Sequence, residues 1–155
     1  MAYSTDTSAI IHAWRFSYPP AYFPSFWQRL DGLIEAGELF ATEEVLVELE
    51  KKDDDIYQWA RERRETLIIP IDGGIQAVVT AILRNHPRLV DNRKNRSQAD
   101  PFVIALAHIR GAIVMTNEAL AGNPAKPNIP NVCAAMNISC INVLGLIQQQ
   151  RWVFG

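Results

Sequence analysis

Short apolar runs alternate along this chain with segments of helical periodicity. Residues 2–5 read as a brief strand ending at Asp6, and Ser8 stands where it would cap a helix over residues 9–16. Residues 25–36, opened by Pro24, carry Phe26, Leu30, Leu33 and Ile34 at helical spacing, and Gly37 stops them. Residues 38–41 form a short strand, after which Thr42 caps a helix over 43–51. Residues 54–64 begin with acids and end with arginines, matching a helix dipole. A β-rich run at 67–71 and a helix at 74–85 follow. Residues 99–110 are apolar almost all round and end at Gly111, and residues 112–116 read as a buried strand. A helix at 131–136, a strand around Ile141 and a helix at 144–150 complete the pattern. Alternation of this kind predicts an α/β fold with a mainly parallel sheet covered on both faces. Ligands of such sheets bind beyond the carboxyl ends of the strands.

The chain has 155 residues, which fits one domain spanning 1–155. A hydrophobic fraction of 48% and a net charge of -2 exclude global disorder. No stretch approaches the roughly 18 apolar residues of a spanning helix, so no membrane association is expected. Asp6 and the brevity of the run at 9–11 argue against a signal peptide. Two cysteines, Cys133 and Cys140, make neither a disulfide framework nor a zinc site; buried thiols in a reduced, cytoplasmic setting are expected. With a pI near 5.9, nucleic-acid binding would have to come from a local patch.

The strand ends carry acids. Asp6 follows the first strand, and Glu118 follows the strand at 112–116. Asp100 lies in the first turn of its helix, on a side shared with Val103, Ile104 and Ala107. By itself it could simply stabilise the helix N-terminus ahead of Pro101. Glu48 lies at the edge of the stripe formed by Val45, Leu46 and Leu49, where a solvated pair with Lys51 or Lys52 is the alternative. The set matters more than its members. Two carboxylates ~5 Å apart repel by roughly 3 kcal/mol at an effective dielectric of 20. Four together call for a proton or a hard divalent cation with oxygen ligands, such as Mg2+ or Mn2+.

These residues resemble a known family. The opening Tyr3-Ser-Thr-Asp-Thr-Ser-Ala-Ile-Ile11 resembles the first strand and first acid of a PIN domain. Val45-Leu-Val-Glu-Leu49, Ala99-Asp-Pro-Phe-Val-Ile-Ala-Leu-Ala107 and Val114-Met-Thr-Asn-Glu118 resemble the segments of its second, third and fourth acids. The resemblance runs from residue 3 to about 143. Tyr18-Pro-Pro with Phe23-Pro-Ser-Phe-Trp27, and Ile129-Pro-Asn-Val-Cys133, are similar to a prokaryotic, toxin-like PIN subfamily. The resemblance implies a three-layer α/β/α sandwich and an Mg2+- or Mn2+-dependent endoribonuclease of the VapC type, paired with an antitoxin and forming a homodimer. It assigns Asp6, Glu48, Asp100 and Glu118 as metal ligands and catalytic acids. It gives Ser8 and Thr116 the role of holding the acids in place. The fourth acid is usually Asp, which makes Glu118 the weakest member of the set.

Five basic residues and one acid fall within residues 84–96. Arg93, Lys94 and Arg96 suit an RNA backbone; a solvated loop is the alternative. Arg61, Arg63 and Arg64 are expected to close a helix, and Trp14, Trp27, Trp59 and Trp152 to pack in the core. His12, His86 and His108 share no ligand spacing. A haloacid-dehalogenase-type phosphotransferase needs a second acid two residues after the first, and position 8 is Ser. A receiver domain needs paired acids and a lysine at strand ends, which are missing. A non-catalytic PIN-like module that binds RNA or protein is the alternative of a different class.

Overall fold

A computed structural model describes residues 1–90, 98–123 and 125–155. The first strand, β1 (Tyr3–Thr5), shows how the chain builds its centre from hydroxyl side chains. All three residues are buried, so each hydroxyl needs a partner. Tyr3 donates to Gln149 Oε1 at 2.8 Å and accepts from Gln150 Nε2 at 2.9 Å. Ser4 donates to the Val103 carbonyl at 2.9 Å, and Thr5 to the Asp6 carbonyl at 3.1 Å.

Strands β2 (Leu39–Thr42) and β3 (Ile68–Ile69) extend the sheet on one side of β1, and β4 (Ile113–Met115) and β5 (Cys140–Ile141) extend it on the other. The order is β3-β2-β1-β4-β5 and every pairing is parallel. Helices flank this sheet, giving the expected α/β three-layer architecture. The chain leaves β1 for β2 and β3, then returns to the other side of β1 as β4. The sheet therefore switches direction between β1 and β4, which is where open α/β sheets form ligand crevices.

Helix α7 (Asp100–Arg110) packs on β1, β2 and β4 and against α6 (Gly73–Asn85) and α8 (Ile129–Ala135). Val103, Ile104, Ala105, Leu106 and Ala107 are consecutive and buried, as an all-round apolar helix requires. Gly111 ends α7 at φ 62°, a left-handed conformation that glycine adopts without a Cβ clash. Trp14, Trp27 and Trp59 pack edge to face, with centroids of 5.1 Å for Trp14–Trp27 and 5.3 Å for Trp27–Trp59. Trp152 packs on Phe26 at 6.2 Å. Cys133 is buried and Cys140 half-buried; both are free thiols. Among the described residues, no helix is long and apolar enough to cross a membrane.

Several boundaries differ from the sequence expectation. The helix read over 9–16 is two pieces, α1 (Thr7–His12) and a π-helical segment, Ala13–Ser17. Asp6, not Ser8, holds the cap position, because the Ser8 hydroxyl turns to the Asp6 carboxylate. The wide turn runs into Tyr18, whose carbonyl accepts from Trp27 Nε1 at 2.7 Å. Helix α2 spans Pro24–Glu35. Thr42 sits at the cap position of α3 (Glu43–Lys52), but its side chain makes no cap bond. The helix read over 54–64 breaks at Arg63 into α4 (Asp54–Glu62) and α5 (Arg64–Leu67). Arg63 is drawn out by a bidentate pair with Asp31, at 2.5 and 3.0 Å, and lies over the Trp59 ring. Helix α8 starts two residues earlier than expected, because Asn128 and Asn131 form a reciprocal cap around Pro130. The last helix, α9, spans Val143–Gln150.

Asp53 caps α4 by accepting from Ile56 N at 3.0 Å, and it also pairs with Arg15 at 2.8 Å. The Ile56 N–H, helped by Arg15, holds its carboxyl below the usual carboxylate range. Asp53→Ala should therefore destabilise the fold by about 1 kcal/mol in urea melts at neutral pH. A depressed folded-state pKa contributes stability above the ordinary carboxylate pKa, and that contribution is lost as pH falls through the lower folded value. The gap between wild type and variant should narrow on acidification; a constant gap would show that the carboxylate charge plays no part.

Candidate acidic metal centre

Asp6 emerges at the carboxyl end of β1, and its backbone N–H bonds the Met115 carbonyl at 2.8 Å, which binds it to the end of β4. Its carboxylate is buried and held by two hydroxyls. Ser8 Oγ donates to Asp6 Oδ2 at 2.6 Å, and Thr116 Oγ1 donates to the same oxygen at 2.9 Å. These hydroxyls are oriented in turn by the loop after β4. Asn117 N donates to Ser8 Oγ at 3.0 Å, and Glu118 N to Thr116 Oγ1 at 3.1 Å. Two short relays thus run from backbone amides through hydroxyls to one carboxylate oxygen. Each hydroxyl is polarised by the N–H that it accepts. Asp6 Oδ1 stays outside this hydroxyl network.

Asp100 is the first residue of α7 and is 2% exposed. Glu118 reaches the same place from the loop after β4, with its Oε2 accepting from Ile129 N at 2.9 Å at the start of α8. Asp6, Asp100 and Glu118 each present an oxygen, and these oxygens lie within 4.8 Å of one another. At an effective dielectric of about 20, each ionised pair at this separation repels by about 3 kcal/mol. Burial pushes the Asp6 carboxyl above its usual range; the hydroxyls of Ser8 and Thr116 counter that, and the charge of Glu48 adds to it.

Glu48 lies outside the group of three. Its Oε1 takes the ammonium of Lys52 at 2.6 Å, one turn along α3, while its own side chain is only 13% exposed, at the edge of the buried stripe. It is still near enough for its charge to act on Asp6. The sequence expectation of four converging acids thus becomes three gathered acids with Glu48 at their side. Glu118, the departure from the family pattern, is inside the group. Ser8 and Thr116 both reach Asp6. Arg93, Lys94 and Arg96 lie outside the described residues. Arg63 caps and braces the α4–α5 junction.

A family model described as a domain of unknown function, DUF4411, matches residues 3–154. The chain belongs to the DUF4411 family. A search of curated proteins finds no match to it. The DUF4411 match covers both strands that carry the acids and the helices that begin beside them, and the family description carries no activity.

Two features of this DUF4411 domain escaped the sequence reading. One is the contact between Glu118 and Ile129 N, made between residues whose proximity depends on the path of the loop between them. The other is a cavity of about 520 Å3 beyond the ends of β4 and β5, lined by Thr116, Asn117, Glu118, Cys140, Asn142 and apolar side chains. The Asn117 and Asn142 positions follow strand ends, which is the only signal in the sequence that could have singled them out.

Proposed function

We propose that this DUF4411 domain is a divalent-metal-dependent endoribonuclease that hydrolyses RNA phosphodiester bonds and acts as the toxin of a toxin–antitoxin pair. The observation that carries the reading is the meeting of Asp6, Asp100 and Glu118 at the switch point of a parallel sheet. The resemblance of the four acid-bearing segments to a PIN domain supports it. The donor set is all carboxylate oxygen, which fits Mg2+ or Mn2+ and does not fit a soft metal. Bound there, such an ion lowers the pKa of a water and neutralises charge developing on the phosphate.

The chain's own residues have separate tasks in this reading. Asp6, Asp100 and Glu118 would hold the cation, while Oδ2 of Asp6 accepts from the Ser8 and Thr116 hydroxyls. Ser8 and Thr116 fix the Asp6 rotamer and favour its ionised form against the burial that opposes it. Glu48 adds negative charge beside Asp6. Arg93, Lys94 and Arg96, shortly before Asp100 in sequence, would meet the phosphate backbone. A reduced cytoplasmic setting, a homodimer and an antitoxin partner complete the proposal. A neighbouring reading frame for a small DNA-binding protein would support the pairing.

The test couples metal to stability and cleavage. The three acids repel when metal-free, so millimolar Mn2+ should raise the melting temperature by mass action. A proton competes with the cation for Asp6, so the rise should be larger at pH 8 than at pH 5.5. An RNA pool should be cut with Mn2+ and left intact with a chelator. A melting curve that Mn2+ does not move, with intact RNA, would favour the non-catalytic binding module.

A further inference from the structure

The acid cluster opens at Glu118 into the cavity of about 520 Å3 at the carboxyl ends of β4 and β5. We propose that this cavity seats one unpaired nucleobase of the RNA strand, the base of the nucleotide beside the cleaved phosphate; the inference rests on the ribonuclease reading above.

Four observations select a base. First, Glu118 belongs to both the acid group and the cavity wall, so a strand whose phosphate sits at the acids has its adjoining nucleoside at the cavity mouth. Second, among the described residues no Lys, Arg or His lines the cavity, which favours the neutral part of a nucleotide over its charged phosphate. Third, Pro130, Ala134 and Ile138 supply apolar surface against which a base face can lie. Fourth, two amides stand at the polar edge. Asn117 brings a donor and an acceptor, while Asn142 commits Oδ1 to Gly145 N at 2.8 Å and keeps Nδ2 as a donor toward a base carbonyl or ring nitrogen. The volume falls in the range of small-molecule sites, roughly 300–1,000 Å3, and exceeds what one peptide side chain fills. A base paired in a duplex has its face stacked and its edge occupied, so it cannot enter.

Ala134→Phe is the deciding variant. Ala134 is exposed on α8, and a ring there takes up space in the cavity while leaving all three acids in place. Asn117→Ala, also at an exposed position, serves as the second variant and removes one edge contact. In 15N-labelled protein with Mg2+, nucleoside 5′-monophosphates should shift the amides of Ala134, Ile138 and Asn142, and ribose 5-phosphate should not. Ala134→Phe should abolish those shifts while keeping the Mg2+-induced rise in melting temperature. An RNA with one abasic residue beside the cut should be cleaved about tenfold more slowly than its parent by wild type, and equally by Ala134→Phe. Equal shifts from ribose 5-phosphate, no shift at these amides, or equal cleavage of abasic and parent RNA by wild type would overturn the base seat. A protein that neither responds to metal nor cuts RNA would instead overturn the ribonuclease reading, and the nucleotide titration would still judge the cavity.

Discussion

Asp100→Asn should lower single-turnover RNA cleavage with Mn2+ by on the order of a hundredfold or more, without unfolding the protein. Asn keeps the volume of Asp and removes one negative charge. Asp100 is 2% exposed among two other carboxylates, and in the proposed site its charge would help draw in the cation. Asp6→Asn should have an effect of similar size, and the double variant should be little worse than either, because the acids act as one unit. Metal-free, each variant should melt no lower than wild type, since a repulsive charge is gone. Glu118→Gln should fall in the same class, and Glu48→Gln should cost less. Departure from the usual Asp makes Glu118 the weakest acid in sequence, but its oxygen is within 4.8 Å of those of Asp6 and Asp100 while Glu48 is taken by Lys52. If Asp100→Asn cleaves at the wild-type rate, the activity does not come from this site.

The hydroxyls should matter next. Thr116→Val keeps the shape of the side chain and removes the 2.9 Å donor to Asp6 Oδ2, while stripping Glu118 N of its acceptor. Losses of roughly 10–100-fold in metal affinity or activity accompany removal of such supports. A hydrogen bond to the charged form is lost, so the already raised Asp6 carboxyl moves further up. The defect in Mn2+ binding should therefore be greater at pH 6 than at pH 8. Ser8→Ala, which removes the 2.6 Å donor, should behave alike. A defect of equal size at both pH values would assign the hydroxyls to packing alone.

The parts of this picture that were legible in sequence are those set by local pattern. The five buried residues of α7 announce a helix covered all round, and Asp100 at its start is placed by counting turns. Asp6 and Glu118 follow strands, so their common edge follows from parallel pairing. Sheet order was not legible: nothing in residues 3–5 or 113–115 says that β4 lies beside β1, yet that adjacency brings Thr116 to Asp6. For Glu48 the sequence offers an inward position at the edge of a stripe or a solvated pair with Lys51 or Lys52, and the structure combines them: a side chain 13% exposed that pairs with Lys52. The break after His12 was hidden because residues 9–16 satisfy a helix, and only the competition between Ser8 as a cap and Ser8 as a donor to Asp6 settles where it begins.

Asp6, Asp100 and Glu118 are proposed to form one divalent-cation site. Calorimetric titration of Mn2+ into wild type, Asp100→Asn and Glu118→Gln at pH 8 tests it most directly. Wild type should bind Mn2+ saturably, and both variants should show at least a tenfold weaker Kd, on the order of what removal of one carboxylate ligand costs. Binding of Mn2+ by Asp100→Asn with the wild-type Kd and stoichiometry would contradict it.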